Sequence, residues 1–262
     1  MRSDSAVSFR SVSIAFLLSA GFAAAASFSI LSTAADEAQG GKDIEIAKSL
    51  AAMLSAGLTV ISRNQALINS PDIADKGLDG KTVLEQARKV YQDATGSEAS
   101  QLDPNSRQAR LLGVEMNAIV EVMNVHQREL NQRGVGFKGF IPATFGRLVT
   151  EGFGKGAGGD AEIKITAPPE FIRNRKARPD NWEGAVIREK LLAASWPKGQ
   201  LYAAAADSKG RSAFRVMVPE YYSASCLDCH GSPKGEIDVT GYPKEGRSEG
   251  DLGGVISITL YR

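Results

Sequence analysis

The residues whose types and spacing could do chemistry lie late in the chain, in Ser225-Cys226-Leu227-Asp228-Cys229-His230-Gly231. Cys-x-x-Cys-His is the attachment pattern of a c-type haem. Two thiols must add across vinyl groups on neighbouring pyrroles, and a two-residue gap lets one tight turn reach both. The histidine that follows is then placed to offer Nε2 to the iron. Three rivals fit less well. A thioredoxin-like redox pair belongs on a βα turn near the start of its fold, whereas this pair sits near the end in a Gly- and Pro-rich stretch. A zinc site needs four ligands, and beyond the motif the chain offers one more histidine, His126. A disulfide closing so short a loop would constrain little chain entropy. The expected cofactor is therefore one covalent haem c, held by Cys226, Cys229 and His230.

Other candidates are less specific. Arg173 and Arg175, in Arg173-Asn174-Arg175-Lys176, could pair with haem propionates, since Arg binds carboxylates bidentately; the plain alternative is a solvated charge run. Tyr222, next to Tyr221, could pack on the porphyrin edge or belong to the core. Phe137, Phe140, Ile141, Phe145 and Leu148 could wall a haem pocket or form an ordinary core. The run from Gly152 to Gly159 superficially resembles a phosphate-cradling loop but lacks the G-K-[ST] ending, so a flexible loop is expected.

These residues must be positioned by an α+β fold. Apolar spacing of three and four predicts helices over residues 42–69, 82–95, from about 103 to 131, and over 182–196. Ile163 and Ile165 alternate with charged residues in a strand over 161–167. Residues 201–206 and 213–218 flank a turn at Asp207-Ser208-Lys209-Gly210-Arg211 and read as a hairpin, and 255–260 is a last strand. Helices come first, then a small antiparallel sheet with one crossing helix.

The N-terminus sets the compartment. Residues 12–31 are free of charge behind Arg2 and Arg10, and small residues at Ser32-Thr33-Ala34-Ala35 precede the first acids. This reads as a secretory signal cleaved near Ala34 or Ala35; an uncleaved membrane anchor is the alternative, giving a tether. Both export the remainder to the periplasm, where bacterial c-type haem is attached. With 31 Lys plus Arg against 30 Asp plus Glu, no basic field for nucleic acid exists.

The chain resembles the bacterial single-haem c-type domain family with a PAS-like core, first noticed in cyanobacteria and known as a domain of unknown function. The resemblance is carried by Gly136-Phe137-Lys138-Gly139-Phe140-Ile141-Pro142, Thr166-Ala167-Pro168, Arg173-Asn174-Arg175 with Pro179-Asp180-Asn181-Trp182-Glu183, Pro219-Glu220-Tyr221-Tyr222 leading into the haem motif, and Gly250-Asp251-Leu252-Gly253-Gly254. It implies helices followed by a PAS-like antiparallel sheet: residues 1–35 as signal or anchor, 36–135 helical, and 136–262 the haem domain, the last two forming one unit. It also implies redox or small-ligand sensing, or electron transfer. Part of that family places a cysteine opposite the histidine, and this chain has no third cysteine.

The sixth ligand must then come from elsewhere. His126, one turn beyond Met123 on the stripe of Leu112, Met116 and Ile119, is the favoured candidate. Met53, Met116, Met123 or Met217, a less usual lysine or tyrosine, or a position open to CO or NO, are the alternatives. The expected function is redox or gas sensing through a partner protein, with a periplasmic electron carrier as the second reading. A haem enzyme such as a peroxidase stands a distant third, since only His126 could serve as its distal histidine.

Overall fold

A computed structural model describes the backbone of residues 22–262 and the side chains of residues 39–262. The expected signal or anchor, residues 1–35, lies outside the described side chains. The compact unit is Gly41–Arg262.

Helix α1 is Phe22–Arg63 and is followed by the single turn α2 (Gln65–Ile68). From Gly41 onward Ile46, Leu50, Met53, Leu54 and Ile61 are buried at helical spacing. The stretch Gln39–Arg63 is long and apolar enough to cross a membrane, yet 61% of its apolar window is buried inside the protein. Helix α3 (Gly80–Thr95) starts where the Asp79 side chain accepts from Thr82 N, and it stops at Gly96, whose φ is +69°. Helix α4 (Arg107–Val125) is capped by Ser106 and breaks at His126 before the turn α5 (Gln127–Leu130). The expected single helix thus ends earlier than its apolar stripe suggests.

Helix α6 (Pro142–Gly156) corrects the expectation of a flexible glycine loop. Glycine is a poor helix former, so another term must win. A Cβ on Gly156 would lie 2.7 Å from Val114 Cγ1, and one on Gly152 would lie 3.2 Å from the Ala118 Cβ, so the bare backbone is what lets α6 pack against α4. Phe140 and Phe145 are fully buried in the main core, so the core reading of the apolar cluster holds for them, while Phe137 is exposed.

Four strands form one antiparallel sheet in the order β1-β4-β3-β2: β1 (Ala161–Thr166), β2 (Tyr202–Ala205), β3 (Ala213–Tyr221) and β4 (Leu252–Tyr261). Lys209 and Gly210, both with positive φ, close the β2–β3 hairpin as expected. One face carries Ile163, Phe214, Val216, Ile256, Ile258 and Leu260 into the core shared with the helices. The other packs Met217 and Val255 against Val186 and Ile187 of α7 (Asn181–Val186) and the π turn that continues it. Burial on both faces explains why β4 reads as a nearly continuous apolar run.

Candidate functional site

The Cys-x-x-Cys-His motif lies in the long connection between β3 and β4. Excursions of that length in a compact domain are usually functional. The register slips between Glu220 and Tyr221, which places Tyr222 over the backbone of β4: a Cβ on Gly253 would sit 2.9 Å from the Tyr222 ring. Tyr222 stays in the ladder through its N–H to Asp251 O at 3.0 Å. A 3-10 turn (Ala224–Cys226) then leads into the single turn α8 (Leu227–His230), so both cysteines and the histidine share two consecutive turns. Both thiols are free and half-buried. Gly231 ends the turn because a Cβ there would meet Leu227 O at 2.5 Å. Helix α1 braces this segment: Ser55 Oγ donates to Glu220 Oε1 at 2.7 Å, and Ser62 Oγ lies 3.0 Å from Ser225 Oγ.

His230 is held from two sides. Its ring lies 5.0 Å from the Tyr222 ring at 30°, and its Nδ1 is 2.7 Å from Glu245 Oε2. Burial opposes the Glu245 carboxylate, but hydrogen bonds from Arg173 and His230 outweigh it and hold its pKa below the ordinary value. An ionised carboxylate can only accept, so Nδ1 carries the hydrogen, and in the neutral imidazole that tautomer has its lone pair on Nε2. Burial, aided by the Glu245 charge, pushes the Tyr222 phenol up to about 12. Burial also raises the Cys229 thiol.

Arg173 organises the whole connection. Its guanidinium forks onto Glu245, with Nε to Oε1 at 2.9 Å and Nη2 to Oε2 at 3.1 Å. Nη1 donates to Asp238 Oδ2 at 2.6 Å, and Nη2 reaches the carbonyl of Cys229 at 3.0 Å. Asp238 is fully buried; burial works against its charge, but Thr240 and Arg173 hydrogen bonds pull its pKa down to about 2. The Arg173 donors named for propionates are thus committed to protein acceptors, and Arg175, in the turn Arg175–Ala177, is exposed.

The structure therefore gathers Cys226, Cys229, His230, Tyr222 and Arg173, and adds Glu245 and Asp238, which sequence reasoning missed. Both are ordinary acids in a Gly-rich stretch, and nothing in their local spacing marks them. His126 has neighbours of its own. Its Nδ1 is 2.7 Å from Val122 O, its ring lies 5.2 Å from Phe140, and it lines a groove of about 710 Å³ with Asn117, Glu121, Leu148 and Lys155. Its ring and hydrogen-bond partners are thus Phe140 and Val122, none of them from the His230 cluster. Among the described residues no group of three or more His, Cys, Asp or Glu side chains is arranged to hold a bare metal ion.

Fold and site together define an α+β domain that mounts a Cys-x-x-Cys-His turn at one end of an antiparallel sheet. The chain belongs to the Tll0287-like family, whose model matches residues 98–260, more than half its length. No curated protein and no solved structure matches it.

Proposed function

We propose that this protein carries one haem c in the periplasm and acts in redox or small-ligand sensing through a partner protein. The observation that supports it most is the Glu245–His230 hydrogen bond. Metal-ligating histidines almost always donate their other ring N–H to a carboxylate or carbonyl, which fixes the tautomer and raises ligand basicity. Here, in the neutral ring, that bond leaves the Nε2 lone pair for a metal, with two free thiols on the same two consecutive turns. Cys226 and Cys229 would each add S–H across a vinyl double bond, forming one C–S and one C–H bond with no oxidant required. His230 would supply a nitrogen ligand, Tyr222 would fix the plane of its ring, and Arg173 would hold the turn. The bound group would supply a one-electron iron couple and a site for a small ligand. Expression with the periplasmic haem maturation machinery should give a red protein with one haem that resists acid-acetone extraction. An extractable or absent haem would defeat the proposal.

The same bond sets an expectation for the reduction potential. A carboxylate accepting from Nδ1 makes Nε2 more electron-rich and favours ferric iron. Replacing Glu245 by Gln keeps a neutral acceptor but removes the charge. At 59 mV per tenfold for one electron, losing about 1 kcal/mol of charge assistance raises the potential by roughly 40 mV. A spectroelectrochemical titration checks this, and an unchanged or lower value in E245Q would remove Glu245 from the axial ligand's surroundings.

A further inference from the structure

The connection that holds the motif also builds a small hairpin over residues 235–244. Gly235 N donates to Lys244 O at 2.9 Å, Lys244 N to Glu236 O at 2.8 Å, and Asp238 N to Tyr242 O at 2.9 Å. Gly241, with φ at +83°, closes the turn, and Asp238 Oδ1 accepts from Thr240 N at 2.7 Å. The Asp238 side chain is turned inward onto Arg173, whereas its neighbours Ile237 and Val239 are 62% and 61% exposed and Tyr242 is 46% exposed. These are three of the seven exposed large apolar side chains among the described residues. The hairpin is rooted on the attachment turn itself: Gly246 N donates to Gly231 O at 3.1 Å and Arg247 N to His230 O at 2.8 Å.

Its charges are spent internally. Glu236 pairs with Lys244 at 3.0 Å, and Asp238 with Arg173. Between them Ile237, Val239 and Tyr242 face solvent, beside the half-exposed Glu236 that Lys244 neutralises. Apolar side chains held on a rigid, internally neutralised frame are the composition of an interface core, from which charge is depleted. Small docking areas suffice for short-lived redox encounters.

The geometry points to the hairpin at residues 235–244 as the surface on which a one-electron carrier protein with its own apolar, uncharged docking patch exchanges an electron with the haem. This rests on the haem reading above, and a redox sensor needs such a surface as much as a carrier does. With haem bound, ferrous iron would supply one electron and become ferric, and the partner's oxidised centre would take that electron up; no proton or third reactant is needed.

The test uses the full haem-loaded chain and an oxidised blue-copper protein that docks through an apolar patch as the probe. Cu(II) takes the electron to become Cu(I). Stopped-flow mixing should give a bimolecular rate that hardly changes with ionic strength. The double variant Ile237→Glu with Val239→Glu should slow it by about tenfold or more, the loss expected when interface anchors are replaced, and leave the rate with a small neutral oxidant unchanged. Both positions are exposed, so the variant should fold, and an unaltered haem spectrum verifies that it does. A red variant as fast as the parent, or a steep salt dependence in the parent, overturns the docking surface and leaves the haem reading intact. Binding of the parent, but not the variant, to neutral phosphatidylcholine vesicles would overturn it in favour of a lipid surface. A chain without covalent haem would defeat the underlying reading instead.

Discussion

A chain with Ser at both 226 and 229 is expected to lose all covalently held haem, falling from one per chain to none after acid-acetone extraction. Ser conserves shape and removes only the sulfur that would form the thioether. Both thiols are half-buried, free of a disulfide and on consecutive short turns, with Cys226 Sγ only 3.4 Å from Ser223 Oγ, so neither supports the core, and the far-UV circular dichroism of the variant should match the parent. Each single variant should keep haem through one thioether. Its pyridine haemochrome band should then move to longer wavelength, because one vinyl group stays conjugated with the ring. Haem that remains fully covalent in the double variant would show attachment elsewhere and sink the assignment of the motif.

Arg173→Ala, between β1 and β2, should be the single change most damaging to the β3–β4 connection that it holds. The substitution strands Asp238, whose side chain is fully buried, and Glu245, which is nearly so, and frees the carbonyl of Cys229. Removing one partner of a buried charge pair costs about 3–5 kcal/mol, chiefly because the other charge remains without compensation. Urea unfolding of the haem-loaded protein measures the loss. Arg173→Lys should recover only part of it, since an ammonium cannot fork onto Glu245 and reach Asp238 together. A loss below about 1 kcal/mol would mean that the network is not what holds this connection.

The pH dependence of stability carries the same signature. Asp238 is pulled from 3.8 down to about 2 in the folded protein. A depressed folded pKa gives stability that is fully present above the unfolded value and is lost as pH falls through the window from about 4 to about 2. With Arg173 replaced, part of that acid-side loss should vanish, since the guanidinium is one of the groups that lower the pKa.

Much of this was legible in one dimension. The helix over 82–95, the turn at Lys209-Gly210 and the strand at residues 161–166 all rest on contacts within a few residues, which spacing and turn chemistry encode directly. The Cys-x-x-Cys-His motif is local in the same sense, so its two turns could be anticipated from the residues alone. The glycines of α6 could not be read this way. Their reason lies on α4, at Val114 and Ala118, some forty residues earlier, and a local scale counts only their low helix propensity.

What the sequence by itself determined is that helices precede the strands, that residues 201–218 form a hairpin, and the identity of three candidate haem residues. Only the tertiary structure decided that β4 lies between β1 and β3, that Glu245 meets His230, and that Arg173 ties both to Asp238 and to the carbonyl of Cys229. Arg173 and Glu245 lie on opposite sides of the motif in the chain and are separated by β2 and β3. They meet because β3 and β4 pair antiparallel and return the connection to the same end of the sheet. That convergence depends on the path of the backbone through space. A single sequence does not record it, because an acid that will neutralise a buried guanidinium is spelled no differently from one that faces water.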